Sequence, residues 1–137
     1  MGESYGHIQL VEGLVTWIAK NYLNGDIGYL LIDHPKSIAC NKPPKIYGYV
    51  PDVFTAGAPS NRTIVGEAKT SRDVERPHST AQIKAFLQYC STHENAIFVF
   101  AVPWQMSRFA KNLLKKLQKQ TNTSMVTTKV IEGLQAR

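Results

Sequence analysis

The sequence is poor in the residues that build disulfide frameworks and zinc sites. It has only two cysteines, Cys40 and Cys90, which are too few for a disulfide framework and lack the CxxC spacing of zinc or redox sites. Its four histidines are scattered, with no HxH or HExxH arrangement. We therefore do not expect a zinc enzyme. Cys90 continues the apolar spacing of Ile83, Phe86 and Leu87, so we predict that it lies in the core.

Long apolar runs and targeting signals are also missing from the sequence. No run approaches the roughly 18 residues that a membrane span requires. The N-terminus carries Glu3 and no basic segment, which is not the pattern of a secretory signal. We expect an intracellular, cytoplasmic protein with no membrane partner.

Acidic residues are outnumbered by basic ones. With 137 residues, 43% of them hydrophobic, the chain is sized for one compact domain over residues 1–137. Sixteen Lys and Arg against ten Asp and Glu give a formal net charge of +6. That charge suits a polyanionic partner such as nucleic acid, although it could equally serve solubility alone.

Two neighbouring stretches, residues 49–54 and 64–69, carry most of the chemical information. Each is rich in β-branched and aromatic residues and is bounded by Gly, Pro, Asn and Ser, which predicts two strands. Residues 56–62 between them have the composition of a turn. In a hairpin paired symmetrically about that turn, Asp52 and Glu67 face each other with Cβ atoms about 5 Å apart.

The predicted hairpin brings two like charges together. Carboxylates at that distance either share a proton or hold a cation, and their hard oxygen atoms suit Mg²⁺ or Mn²⁺. Because side chains alternate along a strand, Lys69 shares the face of Glu67 while Ala68 points away. The hairpin therefore predicts a metal site at Asp52 and Glu67 with an ammonium group beside it.

The order of these residues matches a known signature. Pro51-Asp52 followed by Glu67-Ala68-Lys69 resembles the motif of the PD-(D/E)xK nuclease superfamily, which includes restriction endonucleases and archaeal Holliday junction resolvases. The sequence holds no other PD and no other (D/E)xK, and the resemblance covers roughly residues 8–102. It implies an α/β fold of the restriction-endonuclease type, with an αβββαβ core and a mixed sheet flanked by helices.

The first predicted helix spans about residues 7–23. Apolar residues recur there at helical spacing, namely Ile8, Val11, Val15, Ile18 and Tyr22. Glu12 lies beside that stripe. Many superfamily members carry a glutamate on this helix that reaches the metal, so the resemblance implies that Glu12 is a further metal ligand. The alternative is a boundary glutamate bonded to solvent or to a backbone amide.

A second predicted helix follows the polar segment 70–78 and is capped by Ser79 or Thr80. In several branches of the superfamily a glutamine on this helix faces the active site, and Gln82 is similar in position. The alternative for Gln82 is an ordinary surface amide. The resemblance also implies that the Ala68 carbonyl joins the acids in holding one or two metal ions.

The remaining elements follow from local patterns. Residues 28–33 read as the first strand. Residues 96–102 are apolar without alternation, which predicts a central strand covered on both faces and joined in parallel by the preceding helix. A last helix is predicted over residues 106–120, followed by an edge strand over residues 125–131. The residues of this last helix that are predicted to point inward are Met106, Phe109, Leu113 and Leu117.

Several basic residues are candidates for contacts with phosphates. The loop 35–45 and the second helix with its approach supply six of them: Lys36, Lys42, Lys45, Arg76, His78 and Lys84. The alternative is that these side chains are merely solvated. For the lysines of the last helix we favour a solvated exterior, since charge runs on helices are mostly that. These lysines are Lys111, Lys115, Lys116 and Lys119.

The motif predicts a Mg²⁺-dependent endodeoxyribonuclease. Asp52 and Glu67 would hold the metal, and Lys69 would orient the attacking hydroxide and neutralise developing charge. By family analogy we expect recognition of DNA shape by a homodimer, with a compact restriction enzyme, a repair or phage nuclease and an RNA substrate left open. Two alternatives remain: a catalytically inactive nuclease-fold module that binds nucleic acid or protein, and an unrelated small α/β protein.

Overall fold

The computed structural model describes residues 5–33 and 42–133. Its helices are α1 (Tyr5–Tyr22), α2 (Ser71–Val74), α3 (Pro77–Ser91) and α4 (Ser107–Thr121), with 3₁₀ turns at Ile27–Tyr29 and Trp104–Met106. Its strands are β1 (Leu31–Ile32), β2 (Val53–Thr55), β3 (Ile64–Ala68), β4 (Ile97–Val102) and β5 (Thr127–Glu132). Within these residues no helix is long and apolar enough to cross a membrane.

The five strands form one mixed sheet in the order β1-β2-β3-β4-β5. The pairs β1–β2 and β2–β3 are antiparallel, whereas β3–β4 and β4–β5 are parallel. The predicted mixed α/β sheet with flanking helices is therefore present. The central, parallel position predicted for β4 and the edge position predicted for β5 are both confirmed.

Helices cover both faces of the sheet. On one face α3 and α4 pack against a core that includes Phe98 and Phe100. On the other face α1 packs against a core that includes Val99 and Ala101. Since successive side chains of β4 enter opposite cores, the whole strand is apolar, as a strand buried on both faces requires. Cys90 is buried in the core on the α3 and α4 side, as predicted.

The first two strands are shorter than predicted. Residues 27–29 form a 3₁₀ turn, because the Asp26 side chain accepts a hydrogen bond from the Gly28 N–H at 2.8 Å and thereby competes with strand pairing. Only Leu31–Ile32 pairs with β2. In the second stretch Tyr49 forms an isolated bridge with Ile46 instead of pairing within the sheet. The strand β2 begins only at Val53.

The predicted cap of the second long helix was wrong. The helix α3 begins at Pro77, with Arg76 at the N-cap and no side-chain cap. Proline suits the first helical position because its fixed φ is already helical and it has no N–H to satisfy. Ser79 instead donates from its Oγ to the Asp73 carbonyl at 2.6 Å, which joins α3 to the short helix α2.

The buried side of α4 also differs from the prediction. Phe109, predicted to point inward, is 39% exposed. Met106 and Leu113 are only partly buried, while Leu117 is buried as predicted. The other buried residues of the helix are Ser107, Ala110, Leu114 and Gln118. The prediction was based on large apolar residues, whereas the small side chains of Ser107 and Ala110 let the helix approach its neighbours closely.

Candidate active site

Asp52 and Glu67 lie opposite each other at one end of the sheet. The register pairs Val53 with Gly66 and Phe54 with Val65, and continuing it by one residue sets Asp52 against Glu67. The symmetric hairpin predicted from the sequence is therefore present. Both acids are buried, with only 6% of Asp52 and 3% of Glu67 exposed. Two carboxyl groups hidden this deeply require compensating contacts.

Backbone amides supply part of that compensation. The Ala68 N–H donates to Asp52 Oδ2 at 2.8 Å, and the Asp52 N–H donates to Glu67 Oε1 at 3.1 Å. Each carboxyl group is thus held by the opposite strand through one of its oxygen atoms. This mutual arrangement fixes the two side chains relative to each other.

Lys69 completes the cluster from the residue that follows β3. Its Nζ lies 3.2 Å from Glu67 Oε2 and also donates to Gln82 Oε1 on α3. The side chain is only 12% exposed. The structure therefore brings together four of the predicted site residues, Asp52, Glu67, Lys69 and Gln82. Ala68 faces the α1 side of the sheet, as the strand alternation predicted.

The pKa of Glu67 is raised well above its usual value of 4.5. Burial is the largest cause, and the neighbouring Asp52 charge acts in the same direction. Lys69 opposes both through its charge and its hydrogen bond. A proton on Glu67 relieves the repulsion within the pair, and a cation placed between the acids would do the same.

His7 joins the site although the sequence did not single it out. Its Nε2 lies 3.3 Å from Asp52 Oδ2. A signal for this contact was present in the sequence, because His7 precedes Leu10 by three residues and Leu14 by seven. Those two leucines are buried on α1, so His7 continues the buried side of the helix towards its N-terminal end.

The structure does not bring Glu12 to the acid pair. Glu12 is exposed, and none of the described contacts of Asp52 or Glu67 involves it. It lies two residues from both Leu10 and Leu14, which at 100° per residue puts it about 160° around the helix from each. It is about 60° from buried Val15, so it borders the buried stripe as predicted, but its side chain is exposed and does not reach the acids.

The six predicted phosphate contacts fall into different settings. Lys42 is 3.3 Å from Asp33, and Arg76 is 3.3 Å from Asp73, so both already have an acidic partner. The exposed ring of His78 packs edge-on against Tyr49 with centroids 5.7 Å apart. Lys45 is exposed, Lys84 is half-buried on α3, and Lys36 lies outside the described residues.

The predicted metal has two carboxyl groups available to it at this site. Within residues 5–33 and 42–133, no group of three or more His, Cys, Asp and Glu side chains is placed to hold a metal ion. Mg²⁺ needs fewer protein ligands than that, since it keeps several waters and commonly binds through one or two carboxylates. Asp52 and Glu67 provide two such groups, so the chemistry of the residues fits a hard cation.

Comparisons with protein-family models, with curated proteins and with solved structures find no match. The interpretation of the site therefore depends on its own residues: two buried carboxyl groups, a lysine held between Glu67 and Gln82, and an imidazole against Asp52.

Proposed function

We propose that this protein is a metal-dependent nuclease of the PD-(D/E)xK type that hydrolyses DNA phosphodiester bonds. The observation that carries the proposal is the buried pair of Asp52 and Glu67 with Lys69 bonded to Glu67 Oε2. An acid pair of this kind is costly to the fold, and a cation site gives it a use. The order of elements from α1 to β4 also agrees with the αβββαβ core expected of that superfamily.

The proposed mechanism assigns a task to each side chain. Asp52 and Glu67, together with the Ala68 carbonyl, would hold Mg²⁺ or Mn²⁺. When bound, the metal supplies a Lewis acid and lowers the pKa of its water. Lys69 neutralises negative charge that develops on the phosphate and orients the attacking water. Gln82 accepts a hydrogen bond from Lys69 and so restricts where the ammonium group can lie.

His7 has a positioning task in this scheme. Its bond to Asp52 Oδ2 acts beside the bond from the Ala68 N–H, so both hold the same oxygen. The carboxylate is then fixed at Oδ2, while Oδ1 has no hydrogen bond to any described residue. Partners of this kind orient a metal ligand without touching the metal themselves.

The substrate we propose is DNA recognised by shape, in branched or broken form, by a cytoplasmic homodimer that supplies two active sites. The net charge of +6 supports a polyanionic substrate, and the 137-residue chain leaves little surface for reading bases. Structure-specific, restriction and repair roles all use this chemistry. The form of DNA that is cut will distinguish them.

The decisive experiment incubates the protein with linear, nicked and four-way-branched DNA, with Mg²⁺, with Mn²⁺ and with a chelator. We expect cleavage only with metal. Asp52→Asn, Glu67→Gln and Lys69→Ala should each abolish it while leaving DNA binding largely intact. Glu94→Gln is the matched control, because Glu94 is an exposed acid in the turn that precedes β4, at the opposite end of that strand from the site.

One observation favours a non-catalytic alternative. Each acid already accepts a backbone hydrogen bond, and a protonated Glu67 would need no metal. The protein would then be a nuclease-fold module that binds nucleic acid or a protein partner. Metal-independent DNA binding without any cleavage of the substrate panel would support this alternative, and cleavage lost in Asp52→Asn would reject it.

A further inference from the structure

An open groove lies beside the start of α4, and none of the acid-pair residues lines it. It has a volume of about 530 Å³ and is bordered by the 3₁₀ turn Trp104–Met106, by α4 and by the end of β5. Trp104 is 56% exposed there. An indole left this open on the surface of a small protein is available to stack on a flat partner.

Three cations line the same groove. Arg108, Lys111 and Lys115 follow one another at three- and four-residue spacing, so they share one face of α4 over seven residues, or about 10 Å of helix. All three are exposed, and in the described part of the chain none of them is neutralised by an ion pair. Among the described residues, Glu132 is the one acid that lines the groove.

The groove opens at the sheet end that carries the candidate active site. Strands β3, β4 and β5 are parallel, so their C-terminal ends lie at the same end of the sheet. Lys69 follows β3 directly, Trp104 follows β4 by two residues, and Glu132 ends β5. The acid pair and the groove therefore lie at the same end of the sheet.

A second groove of about 370 Å³ is lined by residues that adjoin both regions in the chain. Its lining includes Gly6, Thr70, Arg72 and Pro103. Gly6 adjoins His7 in the chain, Thr70 adjoins Lys69, and Pro103 adjoins Trp104.

We propose that the groove formed by Trp104, Arg108, Lys111 and Lys115 binds single-stranded nucleic acid. Stacking on an open indole requires an unpaired base, since the bases of a duplex are already stacked on each other. The three cations would contact successive phosphates of the same strand. The binding itself needs no metal. That the single-stranded segment lies next to the cleaved bond rests on the proposed nuclease function.

Binding is measured in the presence of a chelator, by quenching of tryptophan fluorescence with oligothymidylate and with a blunt duplex of equal length. The chain has two tryptophans, so Trp17→Phe leaves Trp104 as the reporter. Should that variant fold poorly, the difference in quenching between the wild-type protein and Trp104→Phe gives the same information. We expect strong quenching by the single strand and tighter binding of it than of the duplex.

Variants then separate stacking from charge. Trp104→Ala should weaken single-strand binding about tenfold, while Trp104→Phe should retain most of it. Lys111→Ala should lower the slope of log affinity against log salt by about 0.7. Glu132→Gln should tighten binding. Lys20→Ala, on exposed α1 surface against the opposite face of the sheet, is the matched control and should change neither quantity.

Two outcomes would overturn the inference. One is equal binding of single strand and blunt duplex with no effect of Trp104→Ala. The other is tighter binding of polyglutamate than of oligothymidylate, which would indicate an acidic protein partner. Single-strand binding without any cleavage contradicts the nuclease and leaves this inference intact, whereas cleavage without Trp104-dependent binding does the reverse.

Discussion

At the residue scale, the carboxyl group of Glu67 combines deep burial with a charged neighbour on either side. Its raised pKa means that between pH 4.5 and that raised value the folded protein holds a proton that the unfolded chain has lost. The free energy of unfolding of the metal-free protein should therefore fall as the pH rises through this window. Below pH 4.5 this contribution no longer changes with pH.

Glu67→Gln tests this dependence, because the amide cannot titrate while its carbonyl can still accept from the Asp52 N–H. We expect the variant to unfold at a denaturant midpoint that declines less than that of the wild-type protein between pH 4.5 and 8. Denaturant unfolding over that pH series, without metal, is the measurement. Parallel pH profiles for the two proteins would contradict the burial of a titrating Glu67.

His7 gives a second prediction at this scale. His7→Ala should lower metal affinity or cleavage roughly 10- to 100-fold, as expected when a partner that orients a metal ligand is removed. His7→Gln should recover part of the loss, since its amide can donate from a position similar to Nε2. Thr16→Ala, an exposed change on the same helix, is the control. Activity unchanged in His7→Ala would remove His7 from the site.

At the element scale, the contact between α1 and β3 determines where His7 lies. An added Cβ at Gly66 would come 3.1 Å from Leu14 Cδ2 and 3.2 Å from Ile18 Cδ1. The glycine therefore lets the helix lie close to the strand. Because α1 carries His7 and β3 carries Glu67, this packing joins the two halves of the site.

Gly66→Val should destabilise the protein by about 1–3 kcal/mol through overpacking, even though valine favours strands. The double variant with Leu14→Ala should lose less free energy of unfolding than the sum of the two single variants. The leucine side chain that the valine would contact is then absent. Denaturant unfolding of the three variants measures the coupling. Additive costs would show that the strand and helix do not meet as closely at Gly66.

At the scale of the whole molecule, metal binding should stabilise the fold, because Asp52 directly precedes β2, Glu67 lies on β3, and the two acids are adjacent only when these strands have paired. A metal present at 100 times its Kd adds about 2.7 kcal/mol to the free energy of unfolding. We expect Mg²⁺ or Mn²⁺ to raise the Tm of the wild-type protein and not that of Asp52→Asn. The Glu94→Gln control should respond like the wild-type protein.

The binding of that metal should also release a proton below the raised pKa of Glu67, so the Tm shift should shrink as the pH falls. A shift of equal size in Asp52→Asn would mean that the ion binds elsewhere, and no shift at any pH would favour the non-catalytic module.

The sequence by itself determined the features that depend on neighbours along the chain. A short turn joins β2 to β3, so symmetric pairing brought Asp52 opposite Glu67, and strand alternation put Lys69 on the side of Glu67. The unbroken apolar run identified β4 as a strand covered on both faces. Only the family resemblance predicted that Gln82 lies at the site. The hydrogen bond that it accepts from Lys69 agrees with that prediction.

Tertiary structure decided what depends on how a helix is rotated against the sheet. The spacing of α1 correctly predicted that Val11, Val15 and Ile18 are buried. The packing of Leu10 and Leu14 extends the buried side beyond that stripe, which brings His7 against Asp52 and leaves Glu12 exposed. The same holds for α4, where close packing through Ser107 and Ala110 left Phe109 partly exposed. The groove at Trp104 forms where three parallel strands end on the same side of the molecule. That arrangement joins segments far apart in the chain, so no local pattern predicts it.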